Sequence, residues 1–67
     1  MDLNKTSKIL KEKRLEMGLT GKELASKLNI SPQAISKWEN GKSFPDISIL
    51  KSVCEILNIS VIDLIGN

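Results

Sequence analysis

Cysteine occurs once, as Cys54, and histidine not at all among the 67 residues. One cysteine excludes an intrachain disulfide framework and makes a reducing, intracellular compartment the simpler reading. No spacing of side chains resembles a metal site, so no metal or other cofactor is expected. No nucleophile stands beside a base and the carboxylates are not clustered, so an enzyme is not expected. Long hydrophobic runs are missing as well: nothing approaches the roughly 20 apolar residues of a membrane span, and the start, "MDLNKTSKILKEK", lacks the apolar stretch of a secretory signal. A soluble, cytoplasmic chain is therefore expected. Its length holds one small core and leaves no room for a second, catalytic domain; a single domain over residues 1–67, with a core from about 5 to 65, is the expectation.

Charge is present but uneven. The net charge is only +2. From Lys5 to Lys42, nine basic residues face four acidic ones, a net of +5, whereas the stretch from Ser43 onward is −2. The positive potential belongs to the first two thirds, which is where an anionic partner would bind. A solvated surface with uneven charge is the plainer alternative.

Five short segments carry helical signals, and no strand pattern competes with them. The first, about Lys5 to Met17, places Ile9, Leu10 and Met17 inward and stops at Gly18, which accepts a left-handed conformation. The second opens on Thr20 and Glu23, a capping box, carries Leu24, Ala25 and Leu28 inward, and stops at Asn29. Ser31 followed by Pro32 starts the third: the serine oxygen caps, and proline sits where its missing N–H costs nothing. It ends at Asn40 and Gly41. Asp46 caps the fourth, with Ile47, Leu50, Val53, Cys54 and Leu57 at helical spacing and Asn58 at its end. Ser60 and Asp63 form a second capping box for a last helix ending near Ile65, and Leu19, Ile30, Phe44 and Ile59 plug the connections. Segments this short cannot stand alone, so their inner faces must meet in one core. The expected fold is all-α, a compact five-helix domain. Only three residues separate Leu28 from Pro32, the tight junction of a helix-turn-helix.

On the third segment, about 100° per residue puts Gln33, Lys37 and Asn40 on one stripe while Ile35 and Trp38 point away from it. Glutamine offers donors and acceptors suited to an adenine edge, lysine donates to guanine O6 or N7, and the Ala34 methyl suits a thymine methyl. No carboxylate lies on that stripe. An ordinary polar surface helix is the alternative. Phosphate contacts are a separate matter, because they set affinity and register without carrying sequence information. The candidates are Lys22, Ser36, Asn40, Lys42 and Ser43, with the Gly21 position at the start of the second helix, whose dipole and free N–H groups favour an anion. Trp38 as a stacking platform and Cys54 as a redox switch are both weaker readings than burial in the core.

The stretches "LKEKRLEMGLTGKELASKLNIS", "AISKWENGKSFPD" and "ILNISVIDLI" together resemble the Xre family, the lambda-repressor-like helix-turn-helix of Cro and phage repressors, from Leu10 to Ile65. The resemblance implies a bacterial or phage regulator, most simply a repressor, that binds double-stranded operator DNA as a two-fold dimer with the third helix in the major groove. It implies that Pro32, Gln33 and Lys37 occupy base-reading positions, and that Arg14 and Glu39 form an ion pair linking the first helix to the end of the reading helix. The chain departs from the family at Gly21, where a glutamine usually braces a phosphate. A lower affinity, or a contact rewired through Lys22, follows from that departure.

Ile49 and Ile56, seven residues apart on one helix face, and Ile62 lie outside the core pattern at the acidic end. They suggest an association patch away from DNA, in line with the family's habit of dimerising through its last helices. Alternatives remain open at this level: an antitoxin whose patch binds a toxin, or a protein-interaction module, for example with a sensory partner, that has lost DNA binding.

Overall fold

Asp2 starts the first helix two residues before the expected Lys5. Its carboxylate accepts hydrogen bonds from the N–H groups of Asn4 (2.9 Å) and Lys5 (3.3 Å), so α1 runs Leu3–Glu16. The computed structural model describes residues 2–66. After α1 come α2 (Gly21–Leu28), α3 (Pro32–Glu39), α4 (Ile47–Leu57) and α5 (Val61–Ile65), with no strand among the described residues.

Each later helix begins on the side chain marked for it. The Thr20–Glu23 box closes in both directions, at 2.9 and 3.0 Å, and the bond from the Thr20 N–H holds the Glu23 carboxyl below the usual carboxylate range. Ser31 Oγ accepts from the Ala34 N–H. Asp46 accepts from the Ser48 hydroxyl and the Ile49 N–H, and these bonds lower its pKa. At α5 only half of the expected second box forms: Ser60 Oγ accepts from the Asp63 N–H at 2.9 Å, and among the described residues the Ser60 N–H donates no return bond to the Asp63 carboxylate. Aspartate is one methylene shorter than the glutamate of a full box. Gly18 and Gly41 take the left-handed conformation after α1 and α3, and Asn29 and Asn58 do so after α2 and α4.

The core gathers Leu10, Leu24, Ala25, Ile35, Trp38, Leu50, Val53, Cys54, Leu57 and Leu64, with Leu19, Ile30, Phe44 and Ile59 packed against it from the connections. Burial pushes the Cys54 thiol above its ordinary pKa, the opposite of what a reactive thiolate needs. Two residues expected inside are not. Met17 caps the C-terminus of α1 and is 49 % exposed, and Ile47, in the first turn of α4, is 89 % exposed. At both places the helix end overhangs the core although the spacing fits.

In exchange, α1 buries Thr6 and Ser7. The Thr6 hydroxyl donates to the Leu64 carbonyl of α5 at 3.0 Å and Ser7 to the Asn4 carbonyl at 2.9 Å, so neither polar group is left unsatisfied. No helix among the described residues is long and apolar enough to cross a membrane.

Candidate nucleic-acid interface

Helix α3 is fastened along one side and free along the other. Ile35 and Trp38 are buried at 2 % and 6 % exposure, so Trp38 offers no stacking platform. Pro32, Gln33 and Lys37 are exposed, and Ala34 is half-buried against the core. The eight-residue helix thus presents Gln33 and Lys37, one turn apart, to the outside.

An ion pair fixes the far end of α3. Arg14 Nε donates to Glu39 Oε2 at 2.7 Å and Nη2 to Oε1 at 2.9 Å, while Nη1 donates to the Leu19 carbonyl at 2.7 Å. Both side chains are nearly buried, at 12 % and 11 % exposure. The bond to Glu39 raises the Arg14 pKa against the opposing effect of burial. One guanidinium therefore joins α1, the α1–α2 turn and α3 in a planar, bidentate arrangement.

Beside this pair lies a shallow notch of about 320 Å³. Gly21 and Lys22 form its α2 side, Pro32, Ser36 and Asn40 its α3 side, and Lys11 and Arg14 its α1 side. The N–H groups of Gly21 and Lys22, in the first turn of α2, make no bond within the described chain, as helix geometry requires. A Cβ at Gly21 would meet only Ile35 Cγ2 at 3.7 Å, ordinary contact, so this position has room for a side chain.

Of the other phosphate candidates, Ser36 and Lys42 are exposed and Ser43 is half-buried. The Asn40 amide turns back on its own helix, donating to the Ser36 carbonyl at 2.8 Å and the Ser36 hydroxyl at 3.3 Å. The N–H groups of Asn40, Gly41 and Lys42 are bonded to the carbonyls of Ser36, Trp38 and Lys37. Among the described residues, the donors left available around this turn include the Lys42 ammonium, the Ser43 groups and the Ser36 hydroxyl, which accepts from Asn40 without donating.

The three isoleucines of the second surface separate. Ile49 and Ile56 are half-buried against the core, and of the three only Ile62 is open, at 78 % exposure. The apolar groove between α4 and α5 is lined instead by Ile47, Leu50, Val61 and Ile65, with Lys51 at its edge. Sequence reasoning missed Ile47 and Val61 in this surface because helical spacing places Ile47 with the core. It also missed Lys11, whose proximity to the notch depends on how α1 crosses α2 and α3.

The helix-turn-helix family model matches residues 10–64. The chain is 36% identical over 57 residues to the HTH-type transcriptional activator BcrR of Enterococcus faecalis, an alignment covering 85% of this chain and 28% of that protein. It superposes on the clp gene regulator ClgR from Corynebacterium glutamicum with a TM-score of 0.83 and 31% identity, over 98% of this chain and 71% of that one. Part of the solved FeII HppE complex with its substrate has the same fold, with a TM-score of 0.84 and 25% identity over 94% of this chain and 37% of that one. The chain thus spans less than a third of the length of the curated relative BcrR. Its five helices, the tight α2–α3 junction and the match over residues 10–64 show that it belongs to the helix-turn-helix family of the Xre and phage-repressor type.

Proposed function

We propose that the chain is a sequence-specific, double-stranded DNA-binding transcriptional regulator that reads an operator through α3 and has no catalytic role. The observation that carries this reading is the division of α3: Ile35, Trp38 and Glu39 hold it to the domain, and Gln33 and Lys37 stand free beside the notch. The family match and the regulators among its relatives support it. Gln33 and Lys37 supply the direct readout, because the Pro32 side chain has no donor or acceptor. Lys22, Lys42, Ser43 and the first turn of α2 grip phosphates. Repression by occupying the operator, in the cytoplasm, is the simplest mode of action.

A second copy completes the reader. The exposed Ile47, Val61 and Ile62 at α4–α5 supply the self-association surface, and two copies place their α3 helices about 34 Å apart on a palindromic site. The same exposure favours a second reading, in which a toxin or sensory protein takes that surface. Sedimentation of the Ile47→Glu variant separates them: loss of a dimer supports self-association, and an unchanged monomer supports another partner.

Selection of binding sites from random DNA tests the whole reading by returning sequence, symmetry and spacing together. Gln33→Ala and Lys37→Ala should each cost about 1–3 kcal/mol on the selected site and relax preference at one position. Equal losses on the selected site and on random DNA would remove them from the base-reading role.

A further inference from the structure

The notch beside α3 has an unequal set of cations. Arg14 is largely committed: three of its five N–H donors go to Glu39 and the Leu19 carbonyl, and its charge is paired with Glu39. Glu39, the acidic residue on the notch wall, is neutralised by the same pair. The Asn40 amide is turned back on Ser36. Two amines remain, Lys22 from α2 and Lys11 from α1, both exposed and neither in an ion pair among the described residues. Gly21 contributes no side chain, and the space its Cβ would occupy is open to ordinary contact distance.

We propose that Lys11 is a DNA-phosphate contact, reaching from α1 into the notch that Gly21 leaves open, so that a helix without base-reading residues supplies part of the backbone grip. The inference rests on the DNA-binding reading above. A lysine neutralises the phosphate it touches and releases counterions, whereas a neutral amide at residue 21 would hold the same phosphate without doing so. Each phosphate neutralised adds about 0.9 to the slope of log affinity against log salt. The contact also carries no base information, because phosphates are the same at every position.

The test measures binding of the unsubstituted chain, Lys11→Gln, Gly21→Gln and the double variant to the selected operator and to an unrelated duplex, between about 50 and 200 mM salt. Lys27→Gln, an exposed change at the far end of α2, is the control, and thermal melting confirms that each variant folds. Lys11→Gln should weaken both duplexes by a similar factor, roughly threefold to tenfold at low salt, and reduce the slope by about 0.9. Lys27→Gln should leave the slope unchanged. Adding Gly21→Gln to Lys11→Gln should recover affinity without restoring the slope, since an amide returns the contact and not the charge. An unchanged slope for Lys11→Gln, or a loss confined to the operator, overturns the assignment while leaving DNA binding intact. Failure of the unsubstituted chain to bind any duplex overturns both.

Discussion

The same four residues, Leu-Asn-Ile-Ser, build two turns in this chain, at 28–31 between α2 and α3 and at 57–60 between α4 and α5. Their local physics agrees closely. Asn29 and Asn58 take φ of 60° and 57°. The N–H groups of Ile30 and Ile59 return to Ala25 and Cys54, both at 3.0 Å, the closing bond of a Schellman-type end. Ser31 and Ser60 each cap the next helix. The products differ: the first turn launches eight residues with Gln33 and Lys37 exposed, the second five with Ile62 exposed. A turn of this kind sets how the next helix departs, and the residues after the serine decide whether that helix meets polar or apolar matter.

Each launched helix is also tied to α1 by a side chain, and cutting these ties should separate the two halves most sharply. Glu39→Ala leaves the nearly buried Arg14 charge without its partner. A loss of about 3–5 kcal/mol is expected in denaturant unfolding, together with weaker operator binding; a loss below about 1 kcal/mol would place the pair with ordinary surface ion pairs. Thr6→Val removes the donor to the Leu64 carbonyl and should cost about 1–3 kcal/mol. Its base preference in site selection should match the parent's, because the tie serves α5.

Smaller effects sharpen the comparison between the two turns. Ser31→Ala and Ser60→Ala should each cost about 0.5–2 kcal/mol, but only the first should weaken operator binding in proportion at equal protein folding. If Ser60→Ala weakens binding as strongly, α5 and α3 do not act separately. The mildest change is with pH. Glu23 and Asp46 carry folded-state pKa values pulled below the usual carboxylate range by their cap bonds. Their contribution is present above the unfolded-state pKa and is lost as pH falls through the lowered folded-state value. Melting temperature should therefore drop on acidification through that range, and Glu23→Gln should flatten part of the slope.

What could be read from the sequence was mostly local. Thr20, Ser31, Asp46 and Ser60 cap their helices because a side chain two or three residues away from an orphan N–H needs no tertiary information to find it. The separation of Trp38 and Ile35 from Gln33 and Lys37 follows from helical period alone. The Arg14–Glu39 pair was legible through family resemblance, not spacing, since its members lie 25 residues apart. Thr6 was invisible for the same reason: its partner lies 58 residues away, and a threonine among lysines reads as solvated. Ile47 and Met17 misled because periodicity states which face a residue occupies and says nothing of where the core beneath that face ends. Lys11 read as one charge in a basic helix until the fold placed it on the same notch as Gly21.

Both ties to α1 sit on one helix, Thr6 two turns before Arg14, in a 14-residue rod. Thr6 holds the end of α5 and Arg14 the end of α3. The offset between the face proposed for a partner and the face proposed for the groove is then a fixed dimension of the single chain. In a dimer built on α4 and α5, half-site separation would be gauged by this rod, and operators with a base pair inserted at the centre of symmetry should be rejected without any clash at the bases themselves.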